Sequence, residues 1–148
     1  MFLKRITSIK ANLKILSTSF KIQQKIKTAK DVFDVALPKM SGLDREQFAI
    51  IHLDTKNNII KYEVVSVGIL NASIIHPREI FKSAIKESSN SIILVHNHPS
   101  GDPEPSGEDE EITERLKKAG ELLNIPVLDH VIIGAGSYYS FKEESSWF

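Results

Sequence analysis

The amino-acid sequence predicts an α/β (α+β) domain in which a central mixed β-sheet is flanked by helices. Short runs of apolar and β-branched residues, typical of buried strands, alternate along the chain with segments whose apolar residues recur at helical spacing. A hairpin signal lies near the front, and turn formers separate the other segments. A chain of 148 residues corresponds to one domain. A chain of this size can bury about 70% of the surface that its unfolded form exposes.

Residues 1–27 form a basic segment, which we separate from the domain predicted for residues 28–148. Residues 1–30 contain eight lysines or arginines and no acidic residue, although the formal net charge of the whole chain is zero. Weak alternation of apolar and polar residues predicts one or two edge strands protected by lysines, or else a loosely ordered arm. Contact with phosphates or with an acidic partner is an alternative, but the few aromatic residues of the segment favour a solvated edge.

The first predicted helix begins with a capping box, Thr28-x-x-Asp31, in which each residue can satisfy a free backbone N–H of the other. We predict that this helix ends at Pro38, because proline lacks the backbone N–H that a continuing helix needs. Its apolar residues are Val32, Phe33, Val35, Ala36 and Leu37.

A β-hairpin follows the first helix. Residues 46–54 predict a largely buried strand, residues 55–58 a turn, and residues 59–67 the second arm of the hairpin. Gly68 comes directly after this arm and predicts a bulge or a close approach of another part of the backbone.

The rest of the chain predicts two more helices and further strands. Pro77 begins the second helix, at the position where proline is best tolerated, and residues 106–123 form the third helix. Residues 127–133 predict a strand, residues 134–137 a turn, and residues 138–141 a last short strand. The predicted buried faces of the two helices contain Ile80, Phe81, Ala84 and Ile85, and Ile112, Leu116, Ala119, Leu122 and Leu123.

The strongest functional signal lies between the second and third helices. Residues 91–95 are an apolar, β-branched run that predicts a buried strand, and the chain reaches His96 and His98 at its carboxyl end. Because side chains alternate along a strand, both imidazoles point to the same face and can bind one metal ion. The turn formers of residues 101–105 reverse the chain, and Asp109 then offers a carboxylate in the first turn of the next helix.

Two interpretations of these residues remain open from the pattern alone. Two imidazoles and one carboxylate leave a fourth position free, as in catalytic zinc sites, whereas structural zinc sites are closed and rich in cysteine. The chain contains no cysteine, so a zinc ion here would be catalytic. Alternatively, Ser106-x-x-Asp109 is only a capping box and the histidines are solvated residues at a strand end.

The complete motif resembles a known family. His96-x-His98, then seven residues, then Ser106-x-x-Asp109 is similar to the JAMM signature of the JAB/MPN metalloprotease-like domains. Other residues of the chain resemble the bacterial RadC group, namely the stretch 96–109, His76-Pro77-Arg78-Glu79, Gly120, Ile125-Pro126 and the stretch 128–134. The resemblance covers residues 30–141 and implies the JAB/MPN fold, which is similar to that of cytidine deaminases.

The resemblance also implies a bound zinc ion that activates a water molecule. The implied ligands of this ion are His96, His98 and Asp109. Ser106 is implied to hydrogen-bond the activated water or the tetrahedral oxyanion. Of the remaining histidines, His52 lies inside a strand and predicts core or cross-strand packing, whereas His76 and His130 are candidates to support a metal ligand from behind.

A hydrolase of this type also needs a carboxylate that takes the proton of the water and passes it to the leaving amine. From the residues alone, Glu46, Glu63 and Glu79 are all candidates, because each lies at or near an end or edge of a predicted element. The catalytic glutamate of the family stands at the start of the strand that follows the first helix. The resemblance therefore implies that Glu46 is the general acid/base.

The implied function is a zinc-dependent metallohydrolase, a metallopeptidase or isopeptidase whose substrate is a peptide or isopeptide. The RadC group also carries a DNA-repair label, so the alternative is a non-catalytic accessory protein of DNA repair or of a mobile element that binds DNA or a repair complex. The helix-hairpin-helix region that usually precedes the domain in longer members is not found in this sequence, which weakens the DNA alternative. A degenerate scaffold is the third possibility, and the intact signature argues against it.

No partner in a membrane is expected. The sequence has no run of about 20 apolar residues that would predict a transmembrane helix, and its start has no continuous apolar region typical of a signal peptide. Together with the absence of cysteine, these observations predict a cytoplasmic protein.

Overall fold

The computed structural model describes residues 24–68, 70–71 and 73–148. These residues form a mixed five-stranded β-sheet and four helices, so the predicted α+β fold class is confirmed. In chain order the elements are α1 (Ala29–Met40), β1 (Gln47–Leu53), β2 (Ile59–Val67), α2 (Pro77–Lys86), β3 (Ser91–Asn97), α3 (Gly107–Leu123), β4 (Val127–Ile133), β5 (Tyr138–Ser140) and α4 (Phe141–Glu144). Most of the predicted basic segment lies outside the described residues; within it, Lys25 forms a β-bridge with Asn58.

The sheet topology brings the predicted site residues Glu46 and His96 to one edge of the sheet. The strand order is β2-β1-β3-β4-β5; β3 and β4 are parallel, and all other neighbours are antiparallel. The carboxyl ends of β3 and β4 therefore lie beside the start of β1. In this register Phe48 of β1 is paired with His96 of β3. Glu46, which precedes β1, consequently lies at the same edge as the end of the histidine strand.

Two apolar layers hold the sheet between the helices. On one face, α1 packs on alternate side chains of the three central strands, including Ile51, Ile93 and Val131. On the other face, α2 and α3 cover a second set that includes Ile50 and Leu94. All seven residues of β3 are buried, as expected for a central strand covered on both faces. His96 has the same parity along β3 as Leu94, so its side chain points toward α3.

The helices bury narrower faces than the sequence predicts. Ile85 of α2 is 60% exposed, and Leu122 and Leu123 of α3 are 86% and 49% exposed, although all three were expected in the core. The buried stripe of α3 runs through Leu116 to Gly120, and residues two apart on a helix do not face the same side. Leu122 therefore points away from the sheet.

The ends of two predicted elements also differ from the structure. Helix α1 continues through Pro38 to Met40, because the missing N–H of proline removes one bond of the last turn while Ser41 N–H still donates to the Leu37 carbonyl. The last strand stops at Ser140, because the Ser140 hydroxyl accepts a hydrogen bond from Glu143 N–H and starts α4.

Gly68 is neither a bulge nor a close approach. It adopts a positive φ of 114°, and an added Cβ would have no heavy atom within 4 Å. The register between β1 and β2 instead shifts at two places, between Phe48 and Ala49 and between His52 and Leu53. Among the residues that the structure describes, no helix is long and apolar enough to span a membrane.

Candidate metal centre

His96 and His98 converge at the carboxyl end of β3. His96 is fully buried and its ring is stacked near Phe48, with 6.1 Å between ring centroids. His98 lies one residue beyond the strand, and the side chain of His98 is 13% exposed. The Nε2 atoms of the two imidazoles are only 2.9 Å apart. The site is therefore closed on the His96 side and open to solvent beside His98.

Asp109 reaches the same point from the start of α3. Its backbone N–H donates to the Ser106 hydroxyl (3.2 Å), and its Oδ2 accepts from Ser106 N–H (2.8 Å), so the predicted capping box is present. The same carboxylate places Oδ1 3.2 Å from His96 Nε2 and Oδ2 3.3 Å from His98 Nε2. The two interpretations of Asp109 in the sequence are therefore compatible, since one carboxylate makes both sets of contacts.

These three side chains form a group that could hold a metal ion. One ligand atom from each of His96, His98 and Asp109 lies within 4.8 Å of the others. Although burial alone would raise the pKa of the Asp109 carboxyl, its close contacts with the two imidazoles hold that pKa far below its usual range. The contact with Asp109 in turn raises the pKa of His98 above its usual value. The carboxylate is thus fixed as an anion beside two nitrogen donors.

Each histidine of the group makes a second contact through its other ring nitrogen, Nδ1. His98 Nδ1 lies 2.8 Å from the main-chain oxygen of Asp102. His96 Nδ1 lies 2.8 Å from Nε2 of His130, a fully buried residue of β4. His130 was one of two histidines that the sequence suggested for this role. The other, His76, is exposed at the N-cap of α2 and contributes no atom to the group.

Thr113 completes the surroundings of His130 and is a residue that sequence reasoning missed. Its hydroxyl lies 2.5 Å from His130 Nδ1 and donates to the main-chain oxygen of Asp109, also at 2.5 Å. Thr113 follows Asp109 by four residues, and residues four apart share one face of a helix. That spacing was the available signal, because a polar residue below a ligand on a buried helix face needs a partner.

The loop that supports His98 packs against the turn after β4. Gly101 has a positive φ of 86°, and its main-chain oxygen accepts a hydrogen bond from Ala135 N–H at 2.9 Å. A Cβ added to Gly134 would lie 2.5 Å from that oxygen and 2.9 Å from Cδ of Pro103. Only glycine leaves room for this approach, which fixes the position of Asp102 between Gly101 and Pro103.

The three candidate glutamates lie in different places. Glu46 is half-buried at the site edge, where its Oε2 accepts a hydrogen bond from Leu70 N–H at 3.2 Å, and it lines an open groove together with Pro99, the neighbour of His98. Glu63, which lies on β2, instead contacts His52 Nε2 at 2.9 Å. Glu79 is exposed on α2 beside Arg78. Of the three, Glu46 alone shares a groove with the loop of the histidines. His52 is buried, as predicted.

Fold and site together define a class of protein, an α+β domain that carries a candidate His/His/Asp metal centre at the end of a central strand. A family model described as RadC-like JAB domain matches residues 26–146. The chain belongs to this family.

Curated relatives support the same assignment. A UPF0758 protein of Methanosarcina mazei is 58% identical over 122 residues, which cover 82% of this chain and 53% of the relative. A UPF0758 protein of Methanococcoides burtonii gives the same identity and coverage. One of Pelodictyon phaeoclathratiforme is 53% identical over 130 residues, covering 88% of this chain and 59% of the relative. The chain thus spans a little over half the length of these relatives.

Proposed function

We propose that this domain is a zinc-dependent metallohydrolase that cleaves an amide bond in a peptide or isopeptide. The proposal is carried by the direction of the His98 ring. A main-chain oxygen can only accept, so the 2.8 Å contact with Asp102 requires a proton on His98 Nδ1. The lone pair of the neutral ring is then on Nε2, which faces His96 Nε2 and the Asp109 carboxylate. Such a cluster of electron pairs is suited to a cation, which supports a metal ion between its members.

The donor set fits zinc in a catalytic arrangement. His96, His98 and Asp109 offer two nitrogens and one oxygen, the number of protein ligands typical of catalytic zinc sites, and no cysteine is present to close a structural site. A bound zinc ion supplies Lewis acidity for the activation of water and of an amide carbonyl. The exposed side of His98 leaves the open position accessible to a substrate.

Glu46 and Ser106 are assigned the remaining roles. Glu46 lies at the edge of the sheet where the histidine strand ends, so its carboxylate is available to accept the proton of water and return it to the leaving amine. The Ser106 hydroxyl accepts from Asp109 N–H, which leaves its proton for a second partner. A hydroxyl donor at this position can stabilise the developing oxyanion.

The groove beside Glu46 supports a polymeric substrate. It is open along one side and is lined by Asp44, Arg45, Glu46, Gly68 and Pro99. An extended peptide could lie in such a groove with its scissile amide beside His98. The DNA-binding alternative rests on the DNA-repair label of the RadC group and stays a prediction, and the basic segment that would offer phosphate contacts lies mostly outside the described residues.

Metal analysis with matched variants tests the proposal. We expect about one zinc per chain in the wild type and a large loss in Asp109→Asn, which keeps a capping oxygen but removes the charge. The control is Asp31→Asn, because Asp31 forms a second capping box with Thr28 and, among the residues that the structure describes, has no imidazole partner. Equal zinc in all three proteins, or none in any, would refute the proposed centre.

Hydrolysis is tested separately with Glu46→Gln. This variant should bind zinc like the wild type and cleave peptide or isopeptide libraries about 10²- to 10⁴-fold more slowly, the usual effect of removing a general acid/base. A Glu79→Gln variant is the control, since Glu79 is an exposed glutamate of α2. Zinc binding without any cleavage, accompanied by salt-dependent binding to DNA, would favour the alternative function.

A further inference from the structure

We propose that Thr113 and His130 are positioning residues that select the tautomer of His96 and so hold its Nε2 lone pair toward the metal. They would do this through a buried circuit of contacts. Three hydrogen bonds run from the main-chain oxygen of Asp109 through Thr113 and His130 to His96, and His96 Nε2 then faces the Asp109 carboxylate without a proton between them. The inference rests on the proposed metal centre, but it concerns residues of α3 and β4 that do not touch the ion. It is carried by the directions that the hydrogen bonds of the described residues allow.

The circuit starts at the main-chain oxygen of Asp109. This oxygen can only accept, so the Thr113 hydroxyl donates its single proton there, at 2.5 Å. Toward His130 Nδ1, also at 2.5 Å, the same hydroxyl can then only accept. The proton of that contact therefore belongs to His130 Nδ1.

The position of the proton on His130 determines its position on His96. His130 is 0% exposed and its ring is stacked on Phe141, with 5.1 Å between ring centroids and 12° between the ring planes. Such an environment favours an uncharged imidazole. With its proton on Nδ1, His130 presents a lone pair on Nε2, which accepts from His96 Nδ1 at 2.8 Å. His96 is left with its own lone pair on Nε2, beside Asp109 Oδ1.

The circuit returns to Asp109, although its last contact is not a hydrogen bond. The main-chain oxygen of Asp109 is the last acceptor, and its carboxylate faces the Nε2 atom whose lone pair the circuit sets. Three elements are joined in this way: α3 through Thr113, β4 through His130, and β3 through His96. The ligand strand and the ligand helix are therefore held in one relative position by buried bonds. His98, in contrast, is oriented by a loop oxygen at the solvent-exposed side.

A chain of this type can in principle run in the opposite direction. Thr113 would then donate to His130, and a proton would stand on His96 Nε2, where it blocks the metal. The two directions are distinguishable in the metal-free protein, because they place the proton on different nitrogens of the same rings. The contact of Thr113 with an acceptor-only oxygen favours the direction that leaves His96 Nε2 free.

The experiment combines tautomer assignment with zinc affinity. In metal-free protein labelled with ¹⁵N-histidine, long-range ¹H–¹⁵N spectra at about pH 8, above the usual histidine pKa, should show His96 and His130 protonated on Nδ1. In Thr113→Val, which has a similar shape but no hydroxyl, the His96 signals should shift toward a mixture of tautomers. Zinc affinity, measured by competition with a chromogenic chelator, should fall about 10- to 100-fold. Thr113→Ser should restore both properties.

The control is another buried histidine with a hydroxyl behind it. Ser89 Oγ lies 2.8 Å from His52 Nδ1, near the opposite end of β1 from the site, so Ser89→Ala removes the same kind of contact. We expect it to leave zinc affinity unchanged. The inference is wrong if metal-free wild type carries the His96 proton on Nε2, or if Thr113→Val binds zinc as tightly as the wild type.

Failure of the two proposals can be told apart. If wild-type protein does not bind zinc, the proposed function fails, while the tautomers of the metal-free protein still decide whether the circuit exists. If Thr113→Val does not fold, Thr113→Ser and the wild-type spectra keep the same test available. Wild-type zinc binding together with the reversed tautomers would remove the circuit and retain the centre.

Discussion

Replacing Gly134 with alanine should weaken zinc binding at the proposed centre, although Gly134 contributes no ligand to it. Gly134 follows β4, and an added Cβ would stand 2.5 Å from the main-chain oxygen of Gly101 and 2.9 Å from Cδ of Pro103. Contacts this short cannot be relieved by a side-chain rotation, because both partners are constrained parts of the loop. The segment that carries the main-chain oxygen of Asp102, the partner of His98 Nδ1, must therefore move.

The size of the effect follows from two terms. Inserting a methyl group into a tightly packed site costs about 1–3 kcal/mol in stability, and each kcal/mol lowers the melting temperature of a domain of this size by roughly 3–4 °C. Loss of the hydrogen bond behind a ligating histidine weakens metal binding by about 10- to 100-fold. We expect both changes in Gly134→Ala, measured by urea denaturation of the metal-free protein and by chelator competition.

Gly136 provides the matched control in the same turn. It has a positive φ of 75°, and nothing lies within 4 Å of an added Cβ, so Gly136→Ala introduces backbone strain without a clash. That strain amounts to roughly 1–2 kcal/mol, and the His98 loop should keep its place. Equal zinc affinities for the two variants, or an unchanged affinity in Gly134→Ala, would show that the loop does not orient His98.

Three further predictions concern the frame around the site. Leu94→Ala, in fully buried β3, should lower the free energy of unfolding by about 2–5 kcal/mol, whereas Leu122→Ala, 86% exposed on α3, should change it by less than about 0.5 kcal/mol in urea denaturation. Asp129 accepts three hydrogen bonds, two of them from backbone N–H groups, so Asp129→Ala should cost about 2–4 kcal/mol and Asp129→Asn, which retains an acceptor oxygen, distinctly less. Burial lowers the pKa of His52, so the unfolded chain binds a proton at a higher pH than the folded protein does. The stability that the neutral His52 contributes is therefore present above about pH 6.5 and is lost as the pH falls. His52→Gln should reduce the difference between the unfolding free energies measured at pH 7.5 and 5.5, and an unchanged difference would contradict the assignment.

The parts of the fold that the sequence predicts are those in which one local signal decides the structure. The bounds of β2 and β4 follow from apolar runs that end at turn formers, and the starts of α1 and α3 follow from their capping boxes. The buried faces of the helices are less predictable, because they depend on where each helix crosses the sheet. Leu122 has an apolar side chain at a usable spacing, yet α3 turns it away from the sheet.

The residues of the candidate site also differ in how far the sequence alone predicts them. The alternation of a strand is sufficient to put His96 and His98 on one face, and this spacing can be recognised in the sequence. The choice among the glutamates needs the strand register, because Glu46 reaches the site edge only through the pairing of Phe48 with His96. The role of Thr113 can be predicted only from the tertiary structure, because its hydroxyl has a partner only where β4 places His130 against the same turn of α3.

The two capping boxes among the described residues show why a helix cap and a proposed metal ligand are compatible roles for Asp109. Asp31 and Asp109 make the same pair of hydrogen bonds with Thr28 and Ser106, but Asp109 is 3% exposed and also faces two imidazoles. A carboxylate oxygen has two lone pairs, so the bond from Ser106 N–H to Oδ2 leaves electron pairs on both oxygens of Asp109. The cap fixes the rotamer of the carboxylate without using up its capacity as a ligand. A rigid ligand loses less conformational entropy on binding an ion than a mobile one. The helix cap therefore pre-orients Asp109 for the proposed metal ion. Asp31 has the same cap but, in the described part of the chain, no histidines beside it.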